Sequence, residues 1–123
     1  MAVPILKQGP FLIASIQAAL TDTDVLRLQD DVMEQVGRFR SRGIVVDVTA
    51  LDVMDSFVSR SLQGISRMTR LRGATTVIVG IQPEVAFAMV QLGMNFEDVQ
   101  TALDLEEGLA LLQGQEGSAD GAT

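Results

Sequence analysis

Histidine, cysteine, tyrosine and tryptophan are all absent from this chain of 123 residues, and Lys7 is its only lysine. The commonest general base is therefore missing, together with the thiolate nucleophile, disulfides and soft metal ligands. A serine triad lacks its base, and Lys7 lies in the first apolar run with no partner beside it. Neither G-x-x-x-x-G-K-[ST] nor G-x-G-x-x-G occurs, so the standard phosphate-cradling loops are excluded. No run approaches the roughly 18 apolar residues that span a bilayer. The amino terminus lacks the charged and apolar regions of a signal peptide. A reduced cytoplasmic setting is expected, with no membrane partner. Positive charge is scarce too: nine basic residues stand against 16 acidic ones, for a net charge of −7. That balance speaks against a nucleic-acid partner. No enzyme activity and no cofactor are expected.

Aliphatic residues make up the balance. The chain is 47% hydrophobic but only 4% aromatic, so Leu, Val, Ile, Ala and Met must fill the core, as in layered α/β folds. Val3 to Lys7 and Phe11 to Ile16 read as a hairpin across Gln8-Gly9-Pro10. The capping cluster Thr21-Asp22-Thr23-Asp24 precedes Val25, Leu28, Val32, Val36 and Phe39, one helical stripe that Gly43 is expected to stop. Ile44 to Val48 is a β-branched strand, followed by an acidic loop and a helix marked by Val58, Leu62, Ile65 and Met68/Thr69, ending at Gly73. Thr75 to Val79 is a further strand, and Pro83 opens a short helix to Leu92. A weak strand near Val99 to Thr101 precedes a last helix from Asp104 through Leu112. The expectation is α/β: one domain over residues 1–112, with a mixed four- to five-stranded β-sheet and about four α-helices. Residues 113–123, rich in Gly, Ser, Ala and acids, are expected to form a disordered tail.

Asp47, Asp52 and Asp55 carry oxygen ligands for a hard cation, but their spacing at a strand end fits turn formation and capping, so no metal site is expected. A phosphoacceptor receiver domain would need an acidic pair after the first strand and a lysine after the last. This chain has neither. Asp55-Ser56-Phe57-Val58-Ser59-Arg60 then stands out at the start of the second helix. Ser56 reads either as a plain N-cap or as a site where a phosphate is written, at the helix end that favours anions. Seven of the eight arginines lie between Arg38 and Arg72, a bias that suits either steered protein contacts or solvated helix faces.

These residues meet a family. The hairpin, Val46-Asp47-Val48-Thr49, Met54-Asp55-Ser56-Phe57, Gly80-Ile81-Gln82-Pro83 and Thr101-Ala102-Leu103-Asp104-Leu105-Glu106 resemble a STAS domain, the fold of bacterial anti-sigma-factor antagonists. The generic antagonist pattern is Asp-Ser-Ser/Thr-Gly, with phosphate on the second hydroxyl residue. Here Phe57 and Val58 occupy the last two places, which points to the stressosome scaffold subclass, modified on the hydroxyl directly after the aspartate. The resemblance thus implies phosphorylation at Ser56, with Ser59 the weaker alternative. Asp52, Asp55 and Phe57 beside it, and Arg60 and Arg67 along the same helix, read as partner contacts, with solvated surface the equal alternative for the arginines. It implies a switch-type serine kinase, a resetting phosphatase, sensor-type STAS paralogues and self-association. Because the first strand starts within the first few residues, the scaffold role is expected over the sensor role. A free-standing anti-sigma-factor antagonist is the alternative.

Overall fold

The computed structural model describes residues 3–93 and 99–121, the last six as backbone. A hairpin opens the fold. Strands β1 (Ile5–Gln8) and β2 (Phe11–Ser15) pair antiparallel with Gln8 opposite Phe11, and Gly9 takes the positive φ of +59° that so tight a turn requires. β3 (Gly43–Asp47), β4 (Thr75–Val79) and β5 (Gln100–Ala102) then add in parallel, in the spatial order β1-β2-β3-β4-β5. Each parallel step needs a crossover helix, supplied by α1 (Asp22–Phe39), α2 (Ser56–Leu71) and α3 (Pro83–Gln91). Right-handed crossovers that always advance in one direction place all three helices on one face. α4 (Leu105–Gly121) closes the opposite face.

The pleat divides the strand side chains between two cores. Leu12, Ala14, Ile44, Val46 and Ile78 face α1 and α2, meeting Val25, Leu28, Val32, Leu62 and Ile65. Their neighbours Phe11, Ile13, Val45, Val77 and Val79 face Leu112 and the half-buried Leu105 and Leu109 of α4. Full burial of each large aliphatic side chain stabilises by roughly 1.5–3 kcal/mol. Glycines let α4 come close: a Cβ on Gly108 would lie 2.6 Å from Val79, and one on Gly43 would lie 2.8 Å from Leu112.

Three expectations need correcting. Gly43 does not stop α1, because Arg40 does so in the left-handed conformation (φ +50°), and Gly43 begins β3 where only a hydrogen fits beneath Leu112. Phe39 is not part of the buried stripe. It is 37% exposed, its ring facing Arg38 and Lys7 at 5.2 and 5.8 Å. The last helix does not end at Leu112: residues 113–121 continue it instead of forming an irregular tail, while residues 122 and 123 lie outside the described part. Alanine, glutamine and glutamate within that stretch sustain helix, and the glycines merely weaken it.

Candidate functional site

The loop between β3 and α2 is shaped by short polar contacts. Asp47 ends β3 and turns its carboxylate back on the chain, accepting from the Thr49 amide at 2.9 Å and the Thr49 hydroxyl at 2.6 Å. This is an Asx-type turn, the local role that aspartate takes after a strand. The Gln82 side-chain amide donates to the Thr49 carbonyl at 2.7 Å, tying the loop to the start of α3. Gly80 completes the brace. Its backbone, at φ +78°, passes so near Thr49 that an added Cβ would collide with the hydroxyl. Leu51 and Met54 are buried and fasten the loop to the core, leaving Asp52 and Val53 exposed at its tip.

Asp55, not Ser56, is the N-cap of α2. Its extended backbone and its Oδ1, which accepts from the Val58 amide at 2.8 Å, satisfy the first turn. The plain-cap role weighed for Ser56 therefore falls to its neighbour. Ser56 becomes the first helical residue, half-buried, and the helix does not need its hydroxyl as a cap. Ser59 is placed quite differently: it is fully buried and its hydroxyl donates to the Asp55 carbonyl at 2.9 Å. A kinase reaching Ser59 would have to unwind the first turn.

The expected contact residues lie on the loop before Ser56 and along α2. Asp55 and Phe57 adjoin it in the chain and Asp52 is exposed four residues before it, while Phe57 keeps 38% of its surface exposed. Arg60 follows one turn on, along the same helix stripe. Arg67 shares that stripe but stands 11 residues from Ser56, about 16 Å along the axis, and is already engaged within the chain. Asp47, Asp52 and Asp55 do not converge: among the described residues no cluster of three carboxylates forms a metal site. In sequence, Thr49, Gly80 and Gln82 serve only to carry the family resemblance, and neither they nor the exposed Val53 has an expected site role. The signal was present in Gly80-Ile81-Gln82-Pro83, but its contact with Thr49 joins residues 33 apart.

Topology also sorts charge. All four helices begin at the carboxyl ends of the parallel strands, with acidic residues in or next to the first turns: Asp22 and Asp24, Asp55, Glu84, then Glu106 and Glu107. Ser56 sits at this acidic pole. Arg38, Arg70 and Arg72 mark the other ends of α1 and α2. Ser56 therefore stands at an acidic pole, as the first residue of a helix that its neighbour Asp55 caps.

Comparison with known proteins assigns the class. Residues 2–108 match the STAS domain model, and the chain belongs to the STAS-domain family. Within it, the chain is similar to RsbS of Moorella thermoacetica, solved as a serine-to-glutamate variant. The two are 34% identical, with a TM-score of 0.81, covering 93% of this chain and 97% of that one. A component of the stressosome, described as a signal integration and transduction hub, is also 34% identical. Its TM-score is 0.80, covering 92% and 98% of the two chains. The RsbT co-antagonist protein RsbRA of Bacillus subtilis is 31% identical over 83 residues, 68% of this chain but 30% of that protein. The chain thus spans less than a third of this curated relative. Among the described residues, no helix is long and apolar enough to cross a membrane.

Proposed function

We propose that this chain is a non-catalytic scaffold and regulatory subunit of a stressosome-type signalling complex. It holds a switch-type serine kinase (RsbT-like) and releases it when Ser56 is phosphorylated, so controlling a stress response in the cytoplasm. Its partners are RsbR-like paralogues, that kinase, a resetting phosphatase and further copies of itself. Similarity to RsbS and to a stressosome component over nearly the full length of both chains supports the assembly role. The carboxylate that replaces a serine in the Moorella variant is a common stand-in for phosphate and fits a serine-based switch.

One observation carries the reading: Ser56 is accessible at the first position of α2 while Asp55 does the capping. The kinase would supply ATP. The Ser56 hydroxyl attacks the γ-phosphorus, ADP departs, and the hydroxyl proton passes to a base on the kinase. The new dianion stands among Asp52 and Asp55 and turns an acidic surface into a strongly acidic one. A kinase surface matched to the unmodified serine is then repelled, mainly through a faster off-rate. Phosphate therefore acts on partner choice and leaves the fold in place.

Mixing the purified chain with sensor-type paralogues and sizing the product tests the scaffold role. A megadalton particle is expected. A small dimer or monomer throughout would sink it and favour the free-standing antagonist.

A further inference from the structure

The pole opposite Ser56 holds a pocket that the switch does not use. The last turn of α1, the start of β3 and the last turn of α2 meet there, some 24 Å along α2 from Ser56. They enclose an open cavity of about 650 Å³ lined by Gly37, Arg40, Ser41, Arg42, Arg72 and Gly73, with Val36 at its base. Three arginines share this cavity and no carboxylate lines it, in a chain with a net charge of −7. The backbone accommodates them. Arg40 takes a left-handed conformation (φ +50°), which glycine would adopt without steric cost, and it is the one non-glycine residue to do so among those described. Gly37 makes room for Arg72, whose Nη2 would lie 3.2 Å from any Cβ placed there.

Helix termini explain part of this charge but not all of it. Each helix carboxyl end carries about half a negative charge, so two of them offset about one of the three guanidinium charges. About two positive charges remain. A phosphate monoester carries about −1.5 to −2 charges near neutral pH. Guanidinium forks match its oxygens in paired, charge-assisted hydrogen bonds. We infer that the Arg40–Arg42–Arg72 pocket binds a phosphate-bearing dianion. The phosphate has two possible sources, a free phosphate ester or the phosphoserine of a second copy, and only the second rests on the switch proposed for Ser56.

The test titrates the full chain, at constant ionic strength, with inorganic phosphate and follows the backbone amide signals of Ser41 and Gly73. Saturable shifts are expected. Arg42→Gln and Arg72→Gln should each weaken binding about tenfold, the effect of losing one charged hydrogen-bond partner. Arg27→Gln, on the exposed face of α1, should bind as the unaltered chain does. Arg40→Gly suits the left-handed backbone at the helix end, so it removes the guanidinium without strain and should also bind more weakly. Shifts that fail to saturate, that sodium chloride reproduces, or that survive all three pocket variants would mean an adventitious ion only and overturn the proposal. A second arm adds Ser56-phosphorylated chain to labelled Ser56→Ala chain. Competition with inorganic phosphate identifies the second copy as the source, and its absence alongside saturable phosphate binding identifies a free ester.

Discussion

Phosphorylation of Ser56 should leave the stability of the domain almost unchanged, and Asp55 is the reason. An anion at the amino end of α2 gains roughly 0.3–2 kcal/mol from the helix terminus. Asp55 already occupies that end, bonded to the Val58 amide at 2.8 Å. At roughly 6 Å, its repulsion of each phosphate charge is about 0.7 kcal/mol in water and about 2.8 kcal/mol at an effective dielectric of 20. Asp55 is exposed, which selects the lower part of that range. For about two phosphate charges the repulsion comes to roughly 1–2 kcal/mol. The two ranges overlap and largely cancel, leaving a net between about −1.7 and +1 kcal/mol, a Tm change of less than about 10 °C for a domain of this size. Asp55→Asn separates them, because the amide oxygen still caps α2 while the repulsion disappears. Calorimetry on four proteins gives the answer: the unaltered chain and Asp55→Asn, each with and without phosphate. Phosphate should raise Tm only in the Asp55→Asn background. A loss of more than about 10 °C in the phosphorylated unaltered chain, or no gain in the variant, would refute the reasoning.

Further outcomes follow from the loop and its brace. Ser59→Ala removes a buried hydrogen bond and should cost about 1 kcal/mol in urea unfolding, while phosphate incorporation stays at the level of the unaltered chain. Gly80→Ala combines a positive φ with a collision against Thr49 and should lose about 2–4 kcal/mol by the same assay; a loss below about 0.5 kcal/mol would show the brace to be slack. Phe57→Ala, at a partly exposed position, should change stability by less than about 1 kcal/mol yet reduce kinase retention in a pull-down.

Much of this fold was legible because it follows from local rules. The spacing of Val25, Leu28, Val32 and Val36 marks α1, the β-branched runs mark β3 and β4, and the element order demands a mixed sheet. The failures came where a residue had two local uses and a distant contact decided between them. Gly43 resembles a helix stop, but Leu112, 69 residues later, fixes its role. Asp55 and Ser56 are both good caps, and adjacency in sequence does not say which one turns into the helix. The arginine pocket was unseen for the same reason. In sequence Arg40, Arg42 and Arg72 belong to one long arginine-rich stretch, read as steered contacts or solvated helix faces, and only topology brings them together where two helix ends meet one strand.

The central claim is that Ser56 phosphate frees the kinase. The direct measurement incubates the assembled complex with ATP, then sizes it and maps phosphate by mass spectrometry. Kinase should leave the particle in proportion to phosphate on Ser56, and should stay bound to particles built with Ser56→Ala. Equal release from the Ser56→Ala particles would contradict the account.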